Sequence, residues 1–468
     1  MFFGFTFALI YVTINLIGSD IMFVFIKNFF AALLALIISA VPFGDVQLPE
    51  RKCSPEFNGT FLQSWLSSAW DEERWAQEIE YMQSHGVEYL ILQDLANMDA
   101  DGNWTVYYNS GIAAFENAVF GADVVKAALK ACEGTDIKVF AGLTMFDSFW
   151  LLGNFTGDYS KVCSVTADML EDIYGRYESD NLYGWYFTLE INNQINCGPL
   201  MPAMAKGLNK VLERASAVDT SMPMLISPYT ADYLDLGKAA TYAQWLTFFE
   251  LVDFRNGDIV APQDAVGARW VEEDELIGIW EMYSEAAKKA DADIKLWANC
   301  ENFDIAIGPS ALGGTILRPE TENIESVTAC LDRFVKQMDI ASRYCENIIT
   351  FSYSHYFSPA EVKPFYIETY LDYVENGYVL ETQAPELPDE LTKTLTDGGI
   401  ELNWQTAEDN FGVAYYRVCK NGEFLTRVEM YKWDYPMSFT DANGSADDEY
   451  TLVAVDAAGN VSQTVTAK

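Results

Sequence analysis

Between residue 57 and about residue 377, a short β-branched or aromatic run followed by a longer amphipathic segment recurs eight times. Strands are expected at Gly59–Gln63, Tyr89–Leu95, Lys138–Leu143, Tyr183–Glu190, Met224–Ser227, Ile259–Gln263, Lys295–Glu301 and Ile348–Tyr353. Helices are expected near Asp71–Ser84, Asp123–Ala131, Val162–Tyr177, Leu200–Ala217, Leu236–Val252, Glu272–Ala290, Ser326–Tyr344 and Pro364–Tyr373. Asp71, with Glu72 and Glu73 behind it, reads as a helix start whose acids complement the N-terminal dipole. Eight strand-plus-helix units predict an α/β chain folded as a (β/α)8 TIM barrel, whose usual size is about 250 residues and upward. A doubly wound open sheet is the alternative. It needs a glycine-rich phosphate turn after the first strand, which Gly59 to Trp65 (GTFLQSW) does not supply.

After Gly377 the pattern changes. Pro385, Pro388 and several acids mark residues 381–391 as a linker, and short alternating strands follow: Ile400–Trp404, Ala414–Lys420, Glu423–Val428 and Glu449–Val455. Turns at Asn421-Gly422, Asn443-Gly444 and Gly459-Asn460 separate them, which suits a small all-β sandwich over residues 392–468. The barrel is therefore assigned to residues 53–380.

Residues 1–43 are strongly apolar, interrupted mainly by Asp20 and Lys27. They read as a signal peptide beginning at Met22 with its apolar core at Phe29–Ile38, or as an uncleaved N-terminal anchor. Export with cleavage is the reading adopted, so the chain is expected outside the cell and at a membrane only through that segment. The formal charge of −40 repels phosphate backbones and anionic lipid, which excludes nucleic-acid partners and favours neutral substrates. Eight cysteines carry no CxxC pair, and with only His85 and His355 present, neither a metal site nor a cofactor is expected. His85 ends a helix and is read as a partner of its C-terminal dipole.

In a TIM barrel, reactive groups gather where strands end. Here those ends are polar. The first ends at Gln63 before Trp65, the second at Gln93-Asp94, the sixth at Gln263-Asp264 and the eighth at Tyr353-Ser354-His355. Alternation puts Trp297, Asn299 and Glu301 on one face of the seventh strand, with small apolar residues on the other. The same logic turns Tyr186, Thr188 and Glu190 inward on the fourth, ahead of Asn192. Two glutamates at the ends of opposite strands form the pair that glycoside hydrolysis needs: one carboxyl protonates the leaving oxygen and the other attacks the anomeric carbon. For either glutamate alone, a salt-bridge or capping role is the competing reading. Gln63, Gln93, Asn192, Gln263 and Asn299 suit hydroxyl-rich ligands, or else satisfy loop backbone groups. Trp65, Trp104, Trp150 and Tyr353 are candidate sugar platforms or packing residues. Asp94 is a candidate ligand group, and His355 a hydrogen-bond donor to nucleophile or substrate.

The runs Gly59–Gln63, Trp70 with Trp75, and Gly86–Gln93 resemble an uncharacterised bacterial family of glycoside-hydrolase-like TIM barrels, a domain of unknown function. Gly184-Trp185-Tyr186 leading to Glu190, and Trp297-Ala298-Asn299 leading to Glu301, fit the same pattern, and the likeness covers most of residues 57–377. It implies the barrel fold. Its placement resembles a large retaining superfamily, with Glu190 as acid/base and Glu301 as nucleophile. Leu189 stands where that superfamily usually has asparagine. Counterparts of its strand-two arginine and strand-eight tryptophan are lacking. Residues 384–468 resemble a fibronectin type III-like module, most tellingly at Tyr450 to Asn460. The expected partner is an oligo- or polysaccharide. A non-catalytic carbohydrate-binding or surface scaffold protein is the alternative function, and a metal- or phosphate-dependent barrel enzyme a third.

Overall fold

A computed structural model describes residues 48–147, 158–193, 201–230, 237–290, 292–306, 325–379, 381–430 and 437–468. The apolar segment 1–43 and Trp150 lie outside the described residues. Among those described, no helix is long and apolar enough to cross a membrane. The chain resolves into two compact units. The first comprises Met1–Ala265, Trp270–Asn299 and Ile340–Thr350; the second comprises Val266–Arg269, Cys300–Asp339 and Phe351–Lys468.

The first unit holds a closed parallel barrel. Its strands are β1 (Gly59–Leu62), β2 (Tyr89–Leu92), β3 (Lys138–Gly142), β4 (Leu182–Phe187), β5 (Met224–Ile226), β6 (Ile259–Val260), β7 (Lys295–Glu301) and β8 (Asn347–Phe351). Each neighbours the next in sequence, and β1 closes the ring on β8 through Gly59↔Ile349 and Thr60↔Thr350. The expected strands all form, shorter at the C-terminal end in most cases. Helices follow, among them Glu72–Ser84, where the Asp71 side chain accepts the Arg74 N–H at 2.9 Å. Trp75, Ile79 and Met82 form its buried stripe. His85 caps that helix, and burial lowers its pKa, which weakens any charge it offers the dipole.

Aromatic side chains fill part of the barrel. Tyr89, Phe140, Tyr183 and Trp297 meet with ring centroids 4.9 to 6.3 Å apart. Tyr183 joins them because β3 and β4 slip in register: Val139 pairs Leu182, but Phe140 pairs Gly184. Above this layer Phe61 packs edge-on against Tyr186 at 5.1 Å. Where β3 runs beside β2, Gly142 has room only for a hydrogen, since a Cβ would overlap the carbonyl oxygens of Leu92 and Gln93. Strands of two and three residues, unseen in the sequence, form a further sheet from Ala96–Met98, Trp104–Val106, Val119–Phe120 and Thr144–Phe146. Trp104 is buried there against Phe115, 5.1 Å away, so it is a packing residue and not a platform.

In the second unit, the helix expected over Ser326–Tyr344 is divided. Glu325–Thr328 pairs antiparallel with Phe303–Ala306, and the helix begins at Leu331. The β-branched Val327 and Thr328 favour extended backbone, and pairing with Phe303–Ala306 satisfies it. The β sandwich has a three-stranded sheet (Thr392–Thr396, Gly399–Asn403, Ser438–Asp441) and a four-stranded one (Val413–Lys420, Glu423–Glu429, Tyr450–Asp456, Val465–Thr466). Asn421 and Gly422 have φ of 53° and 83°, the two positive values that a two-residue type I′ hairpin requires. Leu391, from the segment read as a linker, lies in the sandwich core with Trp404, Tyr416 and Leu452. Among the described residues, Cys53, Cys132, Cys163, Cys330, Cys345 and Cys419 are free thiols.

Gly142→Ala should destabilise the barrel by about 1–3 kcal/mol, because the backbone carbonyls facing it cannot rotate away. Urea unfolding followed by circular dichroism measures this, and an unchanged midpoint would contradict the packing described.

Candidate active site

Beyond the regular strands the ladder continues upward through single parallel bridges. Asn192 pairs Tyr229, Tyr229 pairs Gln263, and Gln263 pairs Asn299. Four successive strand ends are thus held in register, and three of the amide residues read from the sequence fall in one row. Their side chains are tied to neighbours: Asn192 Nδ2 donates to the Tyr229 hydroxyl at 3.1 Å, Asn299 Nδ2 to Ser227 Oγ at 3.1 Å, and Gln263 Nε2 to the Ser227 carbonyl at 3.3 Å. Asn299 Oδ1 and Gln63 Oε1 are buried acceptors without a protein hydrogen-bond partner.

Glu190 sits two residues beyond Thr188, whose hydroxyl locks three strand ends together. Thr188 Oγ1 donates to the Gln93 carbonyl at 3.0 Å and accepts the Leu143 N–H at 3.0 Å. The Glu190 carboxyl accepts from the Gln263 side chain. Its residue keeps some solvent-accessible surface, yet protein surrounds the carboxyl closely. That burial raises its pKa to about 7, against which the Gln263 hydrogen bond acts only weakly. Asp94, buried at the end of β2, is likewise raised to about 7 by desolvation. Tyr186 feels both acids: burial first, then the charges of Glu190 and Asp94, hold its hydroxyl protonated well above the usual tyrosine range. Glu190, Asp94, Tyr186 and Gln263 therefore form one electrostatic cluster in the first unit.

Glu301 belongs to the second unit. It is the last residue of β7 and 3% exposed. The Ala268 N–H donates to its Oε2 at 2.7 Å, and Gln337 Nε2 donates to its carbonyl at 3.1 Å. Tyr356 feels its charge. His355 is half-buried with its ring 4.7 Å from that of Tyr356. Tyr353 is corrected: its side chain is fully buried, so it presents no face to a sugar. Trp65, by contrast, is 56% exposed on the short helix that follows Gln63.

Three groups escaped the sequence reading. Ser227 and Tyr229 alternate beyond β5, a signal present in the chain but masked by the shortness of that strand. The Ala268 amide is a backbone group, and no side-chain pattern announces it.

A family model described as a domain of unknown function, DUF4434, matches residues 57–363. A Bacteroides thetaiotaomicron structure, provisionally described as an alpha-L-fucosidase, has a TM-score of 0.53 at 19% identity, covering 72% of this chain and 96% of that one. The PgaB (BpsB) glycoside hydrolase domain of Bordetella bronchiseptica gives a TM-score of 0.40 at 12% identity, covering 64% and 94%. Chitinase Chi52 of Paenibacillus xylanexedens is 34% identical over 88 residues, which is 19% of this chain. The match spans 16% of that chitinase's own length. The first of these likenesses agrees with the TIM-barrel fold.

A carboxyl that holds its proton more tightly when folded lends stability below its unfolded pKa, and that stability is lost as pH rises through the folded value. For Glu190 this loss runs from about 4.5 to about 7 and amounts to roughly 2 kcal/mol, allowing for its solvent contact. Glu190→Gln should therefore unfold several degrees higher than the wild type at pH 8 and nearly level with it at pH 4. Equal melting shifts at both pH values in scanning calorimetry would contradict the burial of this acid.

Proposed function

We propose that the chain, which belongs to the DUF4434 family, is an exported glycoside hydrolase that cleaves a neutral glycan with Glu190 as acid/base and Glu301 as nucleophile. The observation that carries the reading is the Glu190 carboxyl, kept protonated to about pH 7 by burial beside an amide-lined rim. A general acid works best when its pKa lies near the operating pH. Glu190 would protonate the glycosidic oxygen while a Glu301 carboxylate oxygen attacks the anomeric carbon, giving a glycosyl-enzyme and the freed alcohol. Glu190, now ionised, would take a proton from water, whose oxygen displaces Glu301 and restores both carboxyls. The charge of −40 suits a neutral substrate, and the segment shared with a chitinase supports a polysaccharide partner. Trp65 is an exposed aromatic available for stacking, and the C-terminal sandwich is assigned as a fibronectin type III-like module. Residues 1–43 serve as its export signal in this reading.

Leu189 favours a second reading, a barrel that binds glycan without cleaving it. Glycan-array binding without product release from any bound glycan would establish that one.

Hydrolysis of a panel of neutral polysaccharides and aryl glycosides tests the proposal. Glu301→Gln should abolish turnover, and Glu190→Gln should lower it about 10²–10⁴-fold on natural linkages. Wild-type activity should fall on the alkaline side with a midpoint of about 7, where Glu190 loses its proton. Undiminished activity in both variants would refute the assignment.

A further inference from the structure

We propose that the C-terminal β module helps to position the Glu301 carboxylate, with Arg427 of that module as a positioning residue. This rests on the nucleophile role given to Glu301 above. Every contact involved lies within the second compact unit.

The segment 266–269 cradles Glu301. Ala268 N–H donates to its Oε2 at 2.7 Å. Gly267 lies so close that an added Cβ would stand 3.0 Å from both Cβ and Oε2 of the glutamate. The next residue, Arg269, has φ of 57°, a left-handed conformation unfavourable for a residue with a Cβ. The turn is held by the Arg269 N–H, which donates to the Val266 carbonyl at 3.0 Å, and by the side chain, whose Nε donates to Asp304 Oδ1 at 3.1 Å. Asp304 also anchors the cradle through its own strand, because the Ile305 N–H donates to the Gly267 carbonyl at 3.3 Å.

Asp304 is in turn fixed from the β module. Arg427, in the strand Glu423–Glu429, donates through Nη1 to Asp304 Oδ2 at 2.9 Å. Arg427 has little freedom of its own: its Nε lies 2.7 Å from Glu429 Oε1, its guanidinium stacks 3.9 Å from the Tyr415 ring centre, and the side chain is 12% exposed. The cations of Arg333, Arg427 and Arg269 hold the Asp304 carboxylate below its ordinary range despite burial. One carboxylate thus takes a guanidinium from the barrel loop on one oxygen and one from the module on the other. Removing Arg427 frees Asp304 to rotate, relaxes Arg269 out of its left-handed turn, and loosens the amide that aims Glu301.

The test uses the full chain and its Arg427→Met, Arg427→Lys and Asp304→Asn variants, the last keeping the shape of Asp304 should the first fail to fold. Two readouts are taken: hydrogen–deuterium exchange of the peptide containing residues 266–269, and kcat and KM on the best hydrolysed glycan. Arg427→Met and Asp304→Asn should speed exchange there at least tenfold and lower kcat about tenfold with KM within twofold. Arg427→Lys should recover much of both. A lower melting temperature with unchanged exchange at 266–269 and unchanged kcat would show that Arg427 merely braces the module, and would overturn the inference. If the wild type hydrolyses nothing, the reading of Glu301 as a nucleophile falls, while faster exchange in the variants still supports the positioning chain and unchanged exchange overturns it.

Discussion

A ring of eight parallel strands has no free edge, and every strand in it must end on the same side. That closure, made by Gly59 and Thr60 against Ile349 and Thr350, governs where chemistry can sit in this protein. The backbone groups of the ring are consumed by the ladder, so side chains alone decide what each end of the lumen is for. Aromatic rings from β2, β3, β4 and β7 occupy one layer of it. The strand ends carry amides and acids instead. Apolar filling and polar rim follow from the same alternation, read two residues further along each strand.

The acids at the rim are costly. Glu190 and Asp94 are both desolvated enough to hold protons near neutrality, and the fold would be more stable with uncharged amides in their places. The acid–base role proposed for Glu190 rests on this raised carboxyl pKa beside a row of hydrogen-bonding amides. Tyr186, hemmed in by both carboxyls, stays protonated and adds no charge of its own. Glu301 is held differently, by a backbone N–H from a loop, and that loop is braced by an ionic network reaching into the β sandwich.

The sequence made the barrel legible because each unit announces itself twice, as a β-branched run and as an amphipathic helix. Asn192, Gln263 and Asn299 were legible for the same reason, since the strands continue past the last ladder bond into the bridged row at the rim. What escaped was whatever depends on contacts distant in sequence. The sheet built from Ala96–Met98 and its neighbours uses strands too short to show a period. Tyr353 reads as a strand-end aromatic like Trp65, yet one is buried and the other exposed, a difference set by packing around each. The Ala268 amide has no side-chain signature at all. Residues 300–306 and 325–339 fall in the same compact unit as the sandwich, a grouping made by contacts distant in sequence.

The proposed chemistry depends on the state of one proton. Infrared difference titration of the wild type against Glu190→Gln isolates the carbonyl stretch of that single acid. The account predicts that its proton is released with a midpoint of about 7; release near the ordinary glutamate value of 4.5 would contradict it.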